Sequence, residues 1–423
     1  MFQLVPESLN FLAAATWRNL FALFVIVVVY DIPRYYLGFI AVALLSIFKS
    51  KKPLAHGRGD FVSVVIPGHN EEEAVERCVL SLWEQSRPPD EIVVVSDGST
   101  DRMPDKLRDL QERGLIQEAH CTQLRGGKAA ALNLGIGRTK GNIIVVVDCD
   151  CTLDRHALRN IIEPFADPGV GAAVGNIMVR NAKASLIATC QAIEYLICIS
   201  LGKRAADVID GISCISGAFG AFRRETMERL GGYDAGGSED LEITFRVREA
   251  DLKIRFASNA IIYTDVPTTV PVFIRQRFSW DQYTLNYRNR KHGYLLNPLS
   301  PRFNFIELLH TLDFLLFSVG GGIGFWFYLV WVLSAYGDFA PVVLIGIQLW
   351  ILALESCAFL LAGIMTPEVR ISSLLPYMPA YSFLYQPFMR SVRSIAYIRE
   401  WVFHSSYTDR VAPRKVHSAR PYL

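Results

Sequence analysis

The chain has no Gly-x-Gly-x-x-Gly after its first apolar strand and no Gly-x-x-x-x-Gly-Lys-[Ser/Thr] anywhere. That excludes the two common glycine-loop solutions to nucleotide binding. Its eight cysteines form no Cys-x-x-Cys pair and no His–Cys cluster with zinc-finger spacing, which argues against structural zinc and dithiol chemistry. Net charge is only +2 over 423 residues, and no basic stripe is interleaved with aromatics, so nucleic acid is not an expected partner. No basic n-region precedes the first apolar stretch, which is therefore not read as a cleavable signal peptide.

What is abundant is apolar sequence, at 51% of residues, and it is unevenly placed. Residues 20–30 and 36–48 are apolar, and after about residue 312 come two runs of 20 residues or more with few charges, enough to cross a bilayer. The first region reads as one span from about residue 12 to Tyr30, with 35–48 a second short span. The basic stretch "KSKKPLAHGR" and the Arg-rich tail favour the cytoplasmic side. Residues 371–389, broken by Pro376, Pro379 and Pro387, read as interfacial or re-entrant, with a fifth span as the alternative. The expected organisation is a membrane region over 1–50 with one or two spans and a cytoplasmic domain over 51–270. Interfacial amphipathic helices over 271–311, a membrane region of two or three spans over 312–390 and a basic tail over 391–423 complete it. That predicts a multi-pass protein of the cytoplasmic membrane, with membrane lipids as partners. The seven cysteines of the inserted domain are expected to be buried free thiols.

Within the insert, "FVSVVIPGHN" and "EIVVVSDGSTD" are near-continuous apolar runs that stop at turn residues, as strands buried on both faces do. Helical patterns follow each, and a third strand is expected at 142–148. Strand and helix alternate, which predicts an α/β fold around a mostly parallel sheet. Ligands of such sheets gather at the carboxyl ends of the strands, where His69, Asn70, Asp97 and Asp148 fall.

The third strand runs into "DCDC". Alternation along a strand sends Asp148 and Asp150 to one side and Cys149 and Cys151 to the other. Carboxylate oxygens suit Mg²⁺ or Mn²⁺, and Mg²⁺ commonly fills its remaining positions with phosphate oxygens and water, so a nucleoside diphosphate is the matching ligand. A blander reading makes Asp148 the cap of a helix starting near Leu153.

Seven segments, "VVIPGHNEEE", "VVVSDGSTD", "GGKAAALNLG", "VVVDCDCTLD", "SGAFGAFRRE", "GGSEDLEITFRV" and "RQRFSW", occur in an order that resembles membrane-embedded family 2 glycosyltransferases. These are the GT-A-fold enzymes that include cellulose, chitin, hyaluronan and poly-N-acetylglucosamine synthases. The resemblance covers about residues 60–290. It implies a GT-A-type nucleotide-sugar-binding domain between N- and C-terminal transmembrane helices. It also implies a UDP-sugar donor held by Pro67, His69, Asn70, Glu71, Asp97, Asp148 and Lys128, the last at the diphosphate. Asp150 would be the main metal ligand, with Asp148 nearer the nucleotide, and Asp240 the general base. Glu239, Phe219, Gln276 and Trp280 would meet the acceptor, a growing β-linked polysaccharide or a glycolipid. A homodimer or a secretion subunit would supplement the few spans.

Three residue readings stay open beside the resemblance. "GGK" could be a helix-start turn, Glu239 and Asp240 could be first-turn acids favoured by the helix dipole, and Ser238 could cap that helix. The family's Gln-x-x-Arg-Trp is here Gln276-Arg277-Phe278-Ser279-Trp280, so Ser279 stands where the family has Arg. Arg275 or Arg277 is expected to supply the missing charge. The segment also reads as an interfacial helix with its Trp at headgroup level.

Overall fold

The computed structural model describes residues 4–26, 38, 60–234 and 236–408. The expected strands form, and the sheet is larger than the apolar runs announced. Eight strands stand in the order β3-β2-β1-β4-β7-β6-β8-β5. These are β1 Val62–Gly68, β2 Glu91–Asp97, β3 Glu118–Thr122, β4 Ile143–Val147, β5 Thr152–Leu153, β6 Val170–Val179, β7 Phe219–Arg223 and β8 Lys253–Thr264. The first four pair in parallel, as read from the sequence. β7 inserts antiparallel between β4 and β6, and β5 runs antiparallel to β8, so the complete sheet is mixed. Every residue of β1, β2 and β4 is buried, which is what strands covered by helices on both faces require.

Apolar side chains on one face pack with Val75, Cys78, Leu82, Met103, Leu107 and Leu158, and on the other with Ala129, Leu132, Ile243 and Val247. All eight cysteines are free, but burial is not uniform. Cys78, Cys149, Cys151 and Cys190 are buried, Cys214 is half-buried, and Cys121 and Cys198 are exposed, contrary to the expectation for the last two.

Among the described residues, two helical runs are long and apolar enough to cross a membrane: Leu186–Val208 and Phe305–Met365. The first is 72% buried and belongs to the core of the inserted domain. The second is 33% buried and covers the two apolar runs expected as C-terminal spans, as helices Gly321–Tyr336 and Ala340–Met365 that turn at Gly337 with φ +51°. Val332, Val343 and Ile347 of that pair share an apolar cluster with Leu23 and Phe24 of the N-terminal helices. The expected span from residue 12 is interrupted. Helices Leu4–Ala14 and Trp17–Ile26 are separate. The second short span expected at 35–48, apart from residue 38, the basic segment 49–58 and the tail beyond 408 lie outside the described residues. Residues 371–377 form short turns, and helix then runs from Met378 through a π-helical stretch into Gln386–Phe403, which carries Arg390, Arg393 and Arg399. This part does not add an apolar span among the described residues. The C-terminal helices are tied to the domain by Ile193, Leu196, Phe273, Phe359, Ala362, Tyr381 and Tyr385.

Candidate active site

A cavity of about 830 Å³ opens at the carboxyl end of β4, against the N-termini of helices Lys128–Ile136 and Glu239–Glu249. Asp148, Asp150, Lys128, Glu239, Asp240, Gln276 and Trp280 all line it. The acids read from widely separated motifs therefore face one space.

The Asp148–Cys151 segment is a turn closed by a Cys151 N–H to Asp148 carbonyl bond of 3.1 Å, so the strand does not continue through it. The partition expected from alternation is nonetheless kept, because both carboxylates line the cavity and both thiols enter the core. Asp148 caps no helix. Its Oδ1 lies 2.6 Å from Lys128 Nζ, while Asp154 occupies the turn before helix Ala157–Ile162. Asp150 accepts from Thr264 at 3.3 Å and from the Cys151 thiol at 3.3 Å.

Lys128 opens its helix behind Gly127, whose φ of +94° suits glycine. Its ammonium contacts Asp148, Glu239 Oε1 at 3.3 Å and the Gly217 carbonyl at 3.3 Å. Burial alone would lower its pKa, but Asp148 and Glu239 hold it well above the ordinary value. Burial pushes Asp148 up to about 6 against the pull of Lys128, and burial likewise raises Glu239. Glu71 is pushed up to about 7, first by burial and then by the negative charges of Asp150 and Asp148. A carboxylate disfavoured by two neighbouring carboxylates marks a site short of positive charge.

Asp97 does not line this cavity. Its two oxygens accept the Gly126 and Gly127 amides at 2.6 and 2.7 Å, so it fixes the loop that presents Lys128. His69 Nδ1 lies 2.8 Å from the Asp97 carbonyl, and Asn70, at φ +60°, accepts the Thr100 amide. Pro67 is buried within β1.

Asp240 accepts from Ser238 Oγ at 3.1 Å and the Leu241 amide at 2.7 Å on Oδ1, and from the Gly217 amide at 3.1 Å on Oδ2. Ser238 makes no capping bond to the helix. Its hydroxyl goes to Asp240 instead. Gly217 keeps this corner open, since a Cβ would stand 2.9 Å from Lys128 Nζ and 3.2 Å from Glu239 Oε1.

Two expected positive charges and one aromatic are corrected. Arg277 points away from the cavity into a buried pair with Glu194 at 2.6 Å, where Tyr385 also donates to Glu194. Helical spacing explains this: Gln276 and Trp280 share one face of Val270–Asn286, and Phe273 and Arg277 the adjoining core face. Arg275 is exposed and does not line the cavity. Phe219 is fully buried in the core, its ring filling the space that Gly175 leaves by lacking a side chain, and it cannot meet an acceptor. Ser279 and Arg288 do line the cavity, and the sequence reading passed over Arg288 although it follows Trp280 by two helical turns. The Gln276 Oε1 is buried without a hydrogen-bond partner.

Among the described residues no three His, Cys, Asp or Glu side chains converge to hold a metal by themselves. The donor set is thus a pair of carboxylates in an anionic pocket, which fits a hard divalent cation completed by phosphate and water.

Residues 63–231 match the model of glycosyl transferase family 2. The chain carries a family 2 glycosyltransferase domain. A poly-beta-1,6-N-acetyl-D-glucosamine synthase of Staphylococcus epidermidis is 29% identical over 229 residues, 54% of this chain and 55% of that protein. A probable glycosyltransferase of Bacillus subtilis, YdaM, is 33% identical over 226 residues, 52% of this chain and 54% of that protein. The chain thus matches about half the length of these curated relatives. The fold is GT-A-like. A solved structure, the mannosyltransferase PcManGT from Pyrobaculum calidifontis in complex with GDP-Man and Mn²⁺, aligns over 90% of this chain and 99% of its own at a TM-score of 0.57 and 20% identity.

Proposed function

We propose that the family 2 domain transfers a sugar from a UDP-sugar to the hydroxyl of a growing β-linked polysaccharide beside the cytoplasmic membrane. The carrying observation is the shared cavity that brings Asp148, Asp150 and Lys128 together with Asp240 and Trp280. Asp150 and Asp148 would hold the divalent cation, Mg²⁺ or Mn²⁺, which when bound supplies neutralising charge at the leaving diphosphate. The Lys128 ammonium, fixed at the start of its helix, meets the same developing charge. Asp240 accepts the proton of the acceptor hydroxyl on a lone pair that its present hydrogen bonds leave open. The acceptor oxygen then bonds to the anomeric carbon from the face opposite the leaving group as the bond to the diphosphate breaks, so an α-linked donor gives a β-linked product. Trp280 offers an indole face to a sugar ring, and Gln276 lines the same wall of the cavity.

The test is incubation of the purified chain with a panel of labelled UDP-sugars and a divalent cation, followed by sizing of products. A ladder that vanishes in Asp240→Asn while UDP binding persists is the expected result. Absence of transfer from every donor, or full activity of Asp240→Asn, overturns the reading. Transfer of one sugar to a membrane lipid uses the same groups and is favoured by Arg288, which lines the cavity with its guanidinium 5.7 Å from the ring of Phe314 in the apolar run Phe305–Met365.

A further inference from the structure

The cavity-facing side of helix Val270–Asn286 continues into the π-helical turn Tyr287–Lys291, giving Gln276, Trp280, Thr284 and Arg288 in one row. The last of these is out of keeping with its surroundings. Arg288 is 5% exposed, and its Nε and Nη1 have no hydrogen-bond partner. Its guanidinium lies over the rings of Phe245, at 5.4 Å, and Phe314, at 5.7 Å. Phe245 belongs to the helix that carries Asp240, and Phe314 to the apolar run Phe305–Met365. The nearby carboxylate of Glu307 is paired with Arg248 through Oε1, and its Oε2 has no hydrogen-bond partner. Burial and Arg248 push Arg288 down to about 10, which leaves it charged at neutral pH. Glu307 and Asp313 offset part of its charge without bonding Nε or Nη1, and a guanidinium fork with those N–H groups open matches phosphate geometry.

The donor's diphosphate is not the obvious candidate, because the charges acting on Arg288 are Arg248, Glu307 and Asp313, whereas the donor's expected contacts are Lys128, Asp148 and Asp150. We propose that Arg288 is a subsite for a phosphate on the acceptor, namely the headgroup of a membrane lipid whose hydroxyl reaches Asp240. The inference rests on the second form of the glycosyl-transfer reading, transfer to a membrane lipid, and narrows that acceptor. The position of Phe314 favours a lipid over a free acidic sugar, since the guanidinium sits at the root of the apolar helices. Bound there, the phosphate satisfies Arg288 and sets the hydroxyl on the same side of the cavity as the base.

The experiment titrates the full chain in neutral detergent, without donor, with short-chain phosphatidylglycerol, the matching diacylglycerol, glucuronate and inorganic phosphate. Wild-type protein should bind phosphatidylglycerol at least about tenfold tighter than diacylglycerol and well above glucuronate. Arg288→Gln should erase that preference, and Arg288→Lys should restore part of it. Equal affinity of the wild type for the charged and uncharged lipids overturns the proposal without recourse to any variant. So does a preference that survives in Arg288→Gln. Tightest binding of glucuronate points to an acidic glycan, and of inorganic phosphate to a free anion, and either result overturns the lipid assignment. Because no donor is present, these outcomes are independent of whether any UDP-sugar is turned over.

Discussion

Two ion pairs of the same length, 2.6 Å, hold opposite positions in this chain. Lys128 meets Asp148 on the wall of the cavity, with Glu239 beside them and one ammonium among several carboxylates. Arg277 meets Glu194 in the interior, with Tyr385 donating to the same carboxylate and Arg393 at 3.4 Å. The interior cluster is closed and joins the domain to the C-terminal helices. The cavity cluster is open, and its anions exceed its cations. Contact distance therefore says little about purpose. What separates the two is whether a ligand can reach the charges and whether local charge is balanced before it arrives.

Breaking the interior pair should give the larger loss of stability. Glu194→Ala leaves the Arg277 guanidinium buried and uncompensated, and should destabilise the protein by about 3–5 kcal/mol, read by thermal or denaturant unfolding. Pairing Glu194→Leu with Arg277→Met should recover much of that loss, since apolar replacements remove both desolvated charges. A small effect of Glu194→Ala would dissolve the contrast.

Lys128→Ala sharpens the other side. Turnover should fall by about 10²–10³-fold as a fixed charge at the diphosphate is lost, and donor affinity should weaken. Unfolding should barely change, because raised carboxylates such as Asp148 can take up protons once the ammonium is gone. A stability loss as large as that of Glu194→Ala would mean that Lys128 is structural.

A third carboxylate, on the helix that carries Asp240, shows how charge balance reads out in pH. Glu242 is buried, but His292, Arg246 and Lys291 pull its pKa from 4.5 down to about 2. A depressed carboxylate contributes stability that is present above its unfolded pKa and lost as pH falls through the folded one. The contribution should be about 3 kcal/mol, disappearing between about pH 4.5 and 2. Glu242→Gln should be less stable at pH 7 and should unfold with a flatter pH dependence in that window.

The strand ends and the helix start that carry the proposed donor contacts were legible in the sequence because they rest on short-range chemistry. Val- and Ile-rich runs ending in Asp fix strands and place their carboxylates at the ligand edge, and Gly-Gly before Lys128 opens a helix toward that edge. Partners drawn from distant segments were not legible. Nothing local tells that Arg277 finds Glu194, 83 residues away, or that the Asp97 oxygens are taken by the Gly126 and Gly127 amides. Phe219 misled for a related reason. Its side of β7 is decided by the missing side chain of Gly175 on a neighbouring strand. Arg288 was within reach, since the face that holds Gln276 and Trp280 extends to it, but that its Nε and Nη1 stay without hydrogen bonds is a property of the packed structure.

The smallest expected effect is the most local. Gly217 donates its amide to Asp240 and accepts Lys128 on its carbonyl, so it touches both the proposed base and the proposed diphosphate contact. A methyl group there would lie 2.9 Å from Lys128 Nζ and 3.2 Å from Glu239 Oε1. Both are ends of flexible side chains, so the backbone need not move, and the cost in stability should stay below about 1 kcal/mol. The ammonium must shift by a few tenths of an ångström, which is enough to misplace a group that works by position. Gly217→Ala should therefore weaken donor affinity and slow turnover while its unfolding curve overlays that of the wild type. If unfolding shifts and kinetics do not, the cavity cluster is held as rigidly as the buried one, and the distinction between an open and a closed ion pair fails at its most sensitive point.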